Sequence, residues 1–203
     1  LDETDRFSRT FINKKWLERV NMETPKTMDE LYNVLKAFKE QDANGNGDPD
    51  DEIPFLYANG YTASERVLLS AYGIHTSDVN YILQTDGNGK VYLANTTDAY
   101  KEYMKWMARA YGEGLIEQEA FVIDANTVFD RGSKDLYGFY GCGSAPYVVA
   151  KQDISYDAEN FEAIAALTSE YNETPTAGKA SPIGETGLVA ISATSPYKEA
   201  VVR

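Results

Sequence analysis

Residues 25–54 read PKTMDELYNVLKAFKEQDANGNGDPDDEIP, a stretch that holds a helix, its start signal and the loop that ends it. Thr27 followed three residues later by Glu30 is a capping box, in which each side chain accepts from the other's backbone N–H. Leu31, Val34, Leu35 and Phe38 then recur at helical spacing until the pattern runs out at Gln41. Directly afterwards Asp42, Asn44, Asn46, Asp48 and Asp50 put oxygen side chains at alternate positions, with Gly47 sixth in the series. This is the front of a calcium loop of the EF-hand kind, spanning 42–54. Alternate residues face inward, the glycine permits the sharp turn and the seventh residue offers its carbonyl. Ile53 stands where a bidentate Glu is usual, so Asp51 or Glu52 must close the sphere. Five carboxylates lie within these eleven residues, and they repel one another until a cation joins them. The competing reading is a solvated acidic turn. An isolated loop of this type is a structural staple rather than a sensor. Asp86-Gly87-Asn88-Gly89 runs out of oxygens after two and reads as a hairpin turn.

Outward from that stretch, residues 11–20 set Phe11, Ile12, Trp16 and Leu17 near one face and predict a helix. A shorter helix over 63–72 is stopped by Gly73, and 80–94 reads as a hairpin. Thr97 or Thr96 caps a long helix that turns Tyr100, Tyr103, Met104, Met107 and Tyr111 inward and ends at Gly112. Residues 136–140 and 187–191 are short β-type runs, while Phe161, Ile164, Ala165 and Leu167 fit a helix or a strand. Residues 171–187 form the longest loop, and Ser195-Pro196 opens a last helix that is barely two turns long. Helices outnumber strands, so the class is mixed α/β with a modest sheet. No Pro/Gly linker separates two cores, and residues 1–203 read as one domain.

The 203 residues carry 19 Lys and Arg against 32 Asp and Glu, a net charge of −13. That balance argues against nucleic acid and anionic membrane surfaces, which both need a basic face. At 43% hydrophobic the chain can build a core, and no apolar run reaches the ~20 residues that cross a bilayer. Cys142 is the one cysteine and His75 the one histidine, which excludes a disulfide framework and HExxH-type zinc sites. Glu117 and Glu119 are neighbours on a solvated face rather than a glycosidase pair. Gly141-Cys142-Gly143-Ser144 lacks the ending of a phosphate loop, and Cys142 has no basic neighbour to activate it. No catalytic set emerges. Trp16 and Trp106 lie on helices as packing residues. Tyr57, Tyr61, Tyr140 and Tyr147 lie in loops and are candidate ligand contacts, each offering a flat apolar face and a hydroxyl. The chain opens at Leu1 with no leader, and both ends read as cuts from a longer protein.

Three segments in this order resemble a known family. Phe11–Leu17 with Pro25–Tyr32, then the 42–54 loop, then Thr96–Glu102 through Tyr111–Ile116 and Glu119-Ala120-Phe121 are similar to extracellular solute-binding proteins of family 1. These are the sugar-type binding lipoproteins of ABC importers, in their Gram-positive oligosaccharide branch. Ala190-Ile191-Ser192-Ala193-Thr194-Ser195 with Glu199-Ala200 resembles the stretch that precedes the family's hinge. The resemblance implies one helix-rich lobe of a two-lobe, periplasmic-binding-protein-like (type 2) fold with a small mixed sheet, here the second lobe without the first. It implies capture of a solute, with an oligosaccharide foremost, and delivery to ABC permease subunits without covalent chemistry. It also implies structural calcium on Asp42, Asn44, Asn46, Asp48, Asp50 and Asp51, and a cell-surface lipoprotein whose anchor lies outside these residues. The alternative is an extracellular calcium-stabilised interaction or adhesion module.

Overall fold

The computed structural model describes residues 9–58, 60–75, 83–86, 88–143, 148 and 159–175. The expected 187–191 strand, the 195–203 helix, Tyr147 and most of the 171–187 loop lie outside these residues.

The chain enters not as a helix but as strand β1, Arg9–Asn13, which turns directly into helix α1, Lys14–Arg19. Asn13 explains the switch, because its side-chain oxygen accepts from Trp16 N at 3.3 Å and caps the helix. Phe11 and Ile12 therefore point to opposite faces of a sheet instead of sharing a helical stripe. Helix α2, Met28–Glu40, starts on the expected capping box: Thr27 Oγ1 accepts from Glu30 N at 3.0 Å and Glu30 accepts from Thr27 N at 3.2 Å. Strand β2, Ile53–Leu56, contains Pro54, which has no N–H to give and suits the edge that β2 occupies. Helix α3, Glu65–Ser70, is followed by the hairpin β3, Leu83–Thr85, and β4, Val91–Leu93, both where the pattern placed them.

A single 3₁₀ turn leads to helix α4, Asp98–Gly112, capped by Thr97. Tyr103, Trp106 and Met107 face inward as expected, but Met104 is 46% exposed because it sits on the rim of the helix stripe. Helix α5, Ala125–Ser133, escaped the hydrophobic pattern. Its start rests on Asp124, whose carboxylate accepts from Thr127 N at 2.9 Å and is held below the usual carboxylate range by that bond. Strands β5, Tyr137–Cys142, and β6, Phe161–Ala163, complete the set, so the undecided 161–167 segment begins as a strand.

The main sheet has the order β2-β5-β1-β6, with β2 and β5 parallel and the other pairs antiparallel. Phe139 and Tyr140 show why it is covered on both sides. Phe139 joins Phe55, Ile12, Leu35 and Phe38 in the larger cluster, over which α2 packs. Tyr140 joins Leu56, Val128 and Phe161 in a second cluster, to which α5 contributes. The hairpin β3–β4 stands apart as its own two-stranded sheet. Among the described residues no helix is long and apolar enough to cross a membrane.

Gly141 sets how the turn after β2 meets the end of β5. A Cβ there would lie 1.9 Å from Ser64 N and 2.6 Å from the Ala63 carbonyl carbon, so only hydrogen fits. Gly141→Ala is expected to cost about 2 kcal/mol or more by forcing the Ala63–Ser64 backbone outward. Chemical denaturation measures it, and a loss under about 0.5 kcal/mol would show that the turn moves freely.

Candidate functional site

Two places gather chemistry: the acidic loop and a groove at the carboxyl end of β2. In the loop the helix stops at Gln41, and Gly45 and Gly47 take φ values of +74° and +93° that let the backbone curl. The side chains then serve the loop's own amides. Asn44 Oδ1 accepts from Asn46 N at 2.8 Å, Asn46 Oδ1 from Asp48 N at 2.7 Å, and Asp42 Oδ2 from Gly47 N at 3.0 Å. Asp51 accepts from the side-chain amides of Asn44 and Asn46 at 2.8 and 2.7 Å. Asp48 Oδ1 accepts from Asp50 N, and both carboxylates lie at the exposed tip. Arg19 reaches across from α1 to donate to the carbonyls of Ala43 and Asn44.

Glu52 is the telling residue. It is only 2% exposed, its Oε1 accepts from Asn44 N at 3.3 Å, and its Oε2 is buried without a hydrogen bond. Asp42 Oδ1 is buried in the same condition. Burial raises the Glu52 carboxyl above the usual carboxylate range, and the charges of Asp51 and Asp42 push it the same way. Two buried carboxylate oxygens without donors are what a hard cation satisfies, so the donor set fits calcium. Among the described residues no three His, Cys, Asp or Glu side chains gather into a preformed cage. Amide and carbonyl oxygens would have to join the carboxylates, as they do in loops of this kind. Of the two residues left open to close the sphere, Asp51 is spent on amide donors and Glu52 holds the buried oxygen.

The groove has a volume of about 650 Å³ and lies between the segment after β2, the first turn of α3 and one face of α4. Tyr57, Tyr100, Tyr103, Met104 and Phe121 are among its lining residues, and Glu65 supplies its one charge among the described residues. The Tyr57 hydroxyl lies near enough to the Glu65 carboxylate to pull its pKa down, and near enough to the Tyr103 hydroxyl to push that one up. Burial holds the Glu65 carboxyl above the usual range although the Tyr57 hydroxyl pulls it down. Burial also raises the Tyr100 hydroxyl, with Glu65 adding to the effect. A second cavity of about 480 Å³, near the start of α2, carries Asp29, Glu102, Lys105 and Arg109. Its cations are engaged: Lys105 pairs with Glu102, and Arg109 pairs with Glu113 and covers the Tyr32 ring at 3.8 Å.

The structure separates the four candidate tyrosines. Tyr57 lines the groove. Tyr61 is half-buried against the second cluster, with its N–H bonded to Ala58 O at 2.8 Å. Tyr140 is not a loop residue: it sits in central strand β5, 0% exposed, with the Phe11 and Phe161 rings 5.9 and 5.3 Å away. Glu65, Tyr100, Tyr103 and Phe121 went unassigned as site residues. Glu65 has no sequence signal, since an acidic first turn is ordinary on any helix. Phe121 had one, the apolar run Ala120–Ile123 between Glu119 and Asp124, in which Phe121 and Val122 are 85% and 81% exposed. Glu117 departs from the solvated face expected of it. It is buried and pairs with Arg131 at 2.8 Å, while Glu119 takes the other guanidinium nitrogen and stays exposed. Trp16 and Trp106 are buried as packing residues, and His75 is exposed.

No protein-family model matches the chain. It is 35% identical over 158 residues to the fructooligosaccharide ABC transporter substrate-binding protein FusA of Streptococcus pneumoniae, covering 77% of this chain and 28% of that one. It is 29% identical over 130 residues to the polygalacturonan/rhamnogalacturonan-binding protein YtcQ of Bacillus subtilis, covering 62% and 25%. Among solved structures it matches an EF-hand mutant of the pneumococcal FusA in complex with fructo-nystose. There the TM-score is 0.71 at 30% identity, over 87% of this chain and 34% of that one. The chain thus spans about a quarter to a third of the relatives it matches.

Glu52→Gln keeps the acceptor for Asn44 N and gives the neighbouring carboxylates an amide donor. Without divalent cations it is expected to raise stability by about 1 kcal/mol, or roughly 2–4 °C in melting temperature. A lower melting temperature would show that the native charge is already compensated.

Proposed function

Since the chain belongs to the solute-binding proteins of ABC importers, we propose that it forms the second lobe of such a protein and holds a saccharide in the groove beside β2. The observation that carries this reading is the groove's place and lining. It opens at the carboxyl end of a strand of the parallel β2–β5 pair, where open α/β sheets bind ligands. Aromatic faces suit the C–H faces of sugar rings, and the Tyr57 hydroxyl and Glu65 carboxylate on the groove wall offer a donor and acceptors for hydroxyls. The pneumococcal relative is named for fructooligosaccharides and the Bacillus relative for galacturonans, so saccharides are the common ground.

In the proposed cycle the solute meets this lobe first in part, and closure of a second lobe buries it. The closed shape is what permease subunits receive at the outer face of the membrane. No bond of the solute is made or broken. Affinity is shared across both lobes, so the full-length protein should bind its oligosaccharide one-to-one in calorimetry while the 203-residue chain alone binds it far more weakly. Equal affinity for the chain alone would contradict closure by two lobes, and no response of the full-length protein to any saccharide would remove the reading.

Calcium belongs to the same proposal as a structural cation. Asp42, Asn44, Asn46 and Glu52 would hold it, with the carbonyl of Asp48 and the carboxylates of Asp50 and Asp51 nearby. Its charge would neutralise the buried carboxylates and fix the path from α2 into β2. Calcium at a hundredfold excess over its Kd should stabilise the protein by about 2.7 kcal/mol, and EGTA should reverse the gain. Asp42→Ala should abolish both responses in a thermal melt, and a melt indifferent to calcium would take the cation out of the account.

A further inference from the structure

Granted that the groove holds a saccharide, its electrostatics bear on which saccharide. Its lining among the described residues includes no lysine, arginine or histidine, and its one ionisable acid is Glu65. Three tyrosine hydroxyls surround that carboxylate: Tyr57 holds its pKa down, while Tyr100 and Tyr103 both feel its charge. Recognition of uronates depends on basic side chains, above all on the bidentate fit of arginine to carboxylate. Here a sugar carboxylate would meet an apolar wall and a like charge, and the chain's net charge of −13 adds repulsion at longer range. A sugar hydroxyl, in contrast, can donate to the Glu65 carboxylate on the groove wall.

We propose that this groove selects neutral oligosaccharides and rejects uronic-acid oligosaccharides, with Glu65 as the specificity-determining residue that accepts a hydroxyl of the neutral ligand. The pairing of an exposed aromatic rim with one shielded carboxylate does both jobs at once. The rim accepts any pyranose or furanose face, and Glu65 sorts ligands by charge. The residue is also costly to keep. Its carboxyl is desolvated beside Tyr57 and Tyr100, and a group whose pKa rises on folding lowers stability once it ionises. An acid retained at that cost is what a binding role demands rather than a structural one.

The test is calorimetry at pH 7 on the full-length protein. One set of probes is neutral trisaccharides, including kestose, maltotriose and mannotriose; the other is trigalacturonate and trimannuronate. The best neutral ligand is expected to bind at least about tenfold tighter than either acidic one. A smaller preference, or tighter binding of an acidic probe, overturns the charge selection and leaves the saccharide reading standing. Silence of every probe in both sets removes the saccharide reading and the selection with it. Glu65→Gln is expected to weaken the best neutral ligand roughly tenfold or more without lowering the melting temperature. Tyr57→Phe, which removes the hydroxyl beside Glu65 and keeps the ring, serves as the second variant and should change affinity without unfolding the groove. Unchanged affinity in both variants overturns the assignment of Glu65.

Discussion

The approach of the Ala63–Ser64 backbone to Gly141 is the contact on which the rest of the lobe's upper surface depends. Because β5 carries hydrogen where any other residue carries Cβ, the backbone of Ser64 can lie against the strand. That placement starts α3 close to the sheet and sets Glu65 opposite α4. It also fixes where the chain leaves β2, and so the position of Tyr57. The apolar groove is thus a by-product of a backbone–backbone contact, made from residues that are distant in sequence and joined only by the sheet.

The acidic loop is built on a different principle. Its order comes from short-range hydrogen bonds between side chains and the loop's own amides, which is why a recognisable spacing survives in the sequence. The same economy leaves Glu52 and Asp42 with buried oxygens that no hydrogen bond among the described residues satisfies. Arg19 is close, yet it is occupied by carbonyls rather than carboxylates. A buried carboxylate oxygen without a donor is costly, which makes this corner of the molecule sensitive to charge.

Legibility in the sequence follows from the range of the interaction. Capping boxes and helical stripes are local, so α2, α4 and the β3–β4 hairpin were readable from a few residues each. The first element was misread because Phe11, Ile12, Trp16 and Leu17 satisfy a helical period while Asn13 changes the backbone between them. Tyr140 was misplaced although it closes the 136–140 β-type run: counted with the loops at that run's end, it lies inside a strand that continues to Cys142 and is paired on both sides. Glu117 looked solvated until a residue fourteen positions later, Arg131, was seen to cover it. In the site, the loop was legible and the groove was not, since Glu65 and Tyr103 are far apart in sequence and meet only in the folded chain.

Phe121 and Val122 project almost entirely into solvent, on a molecule with a net charge of −13. The two features oppose each other in colloidal terms. Greasy tips draw copies together at short range, and mutual repulsion keeps them apart over a Debye length, about 10 Å at 0.1 M salt. Concentrated stocks of this chain should therefore stay dispersed in dilute buffer and grow sticky as salt shortens that screen or acid strips the charge. A handler who sees turbidity on salting would be watching the tip of one loop rather than a failure of the core.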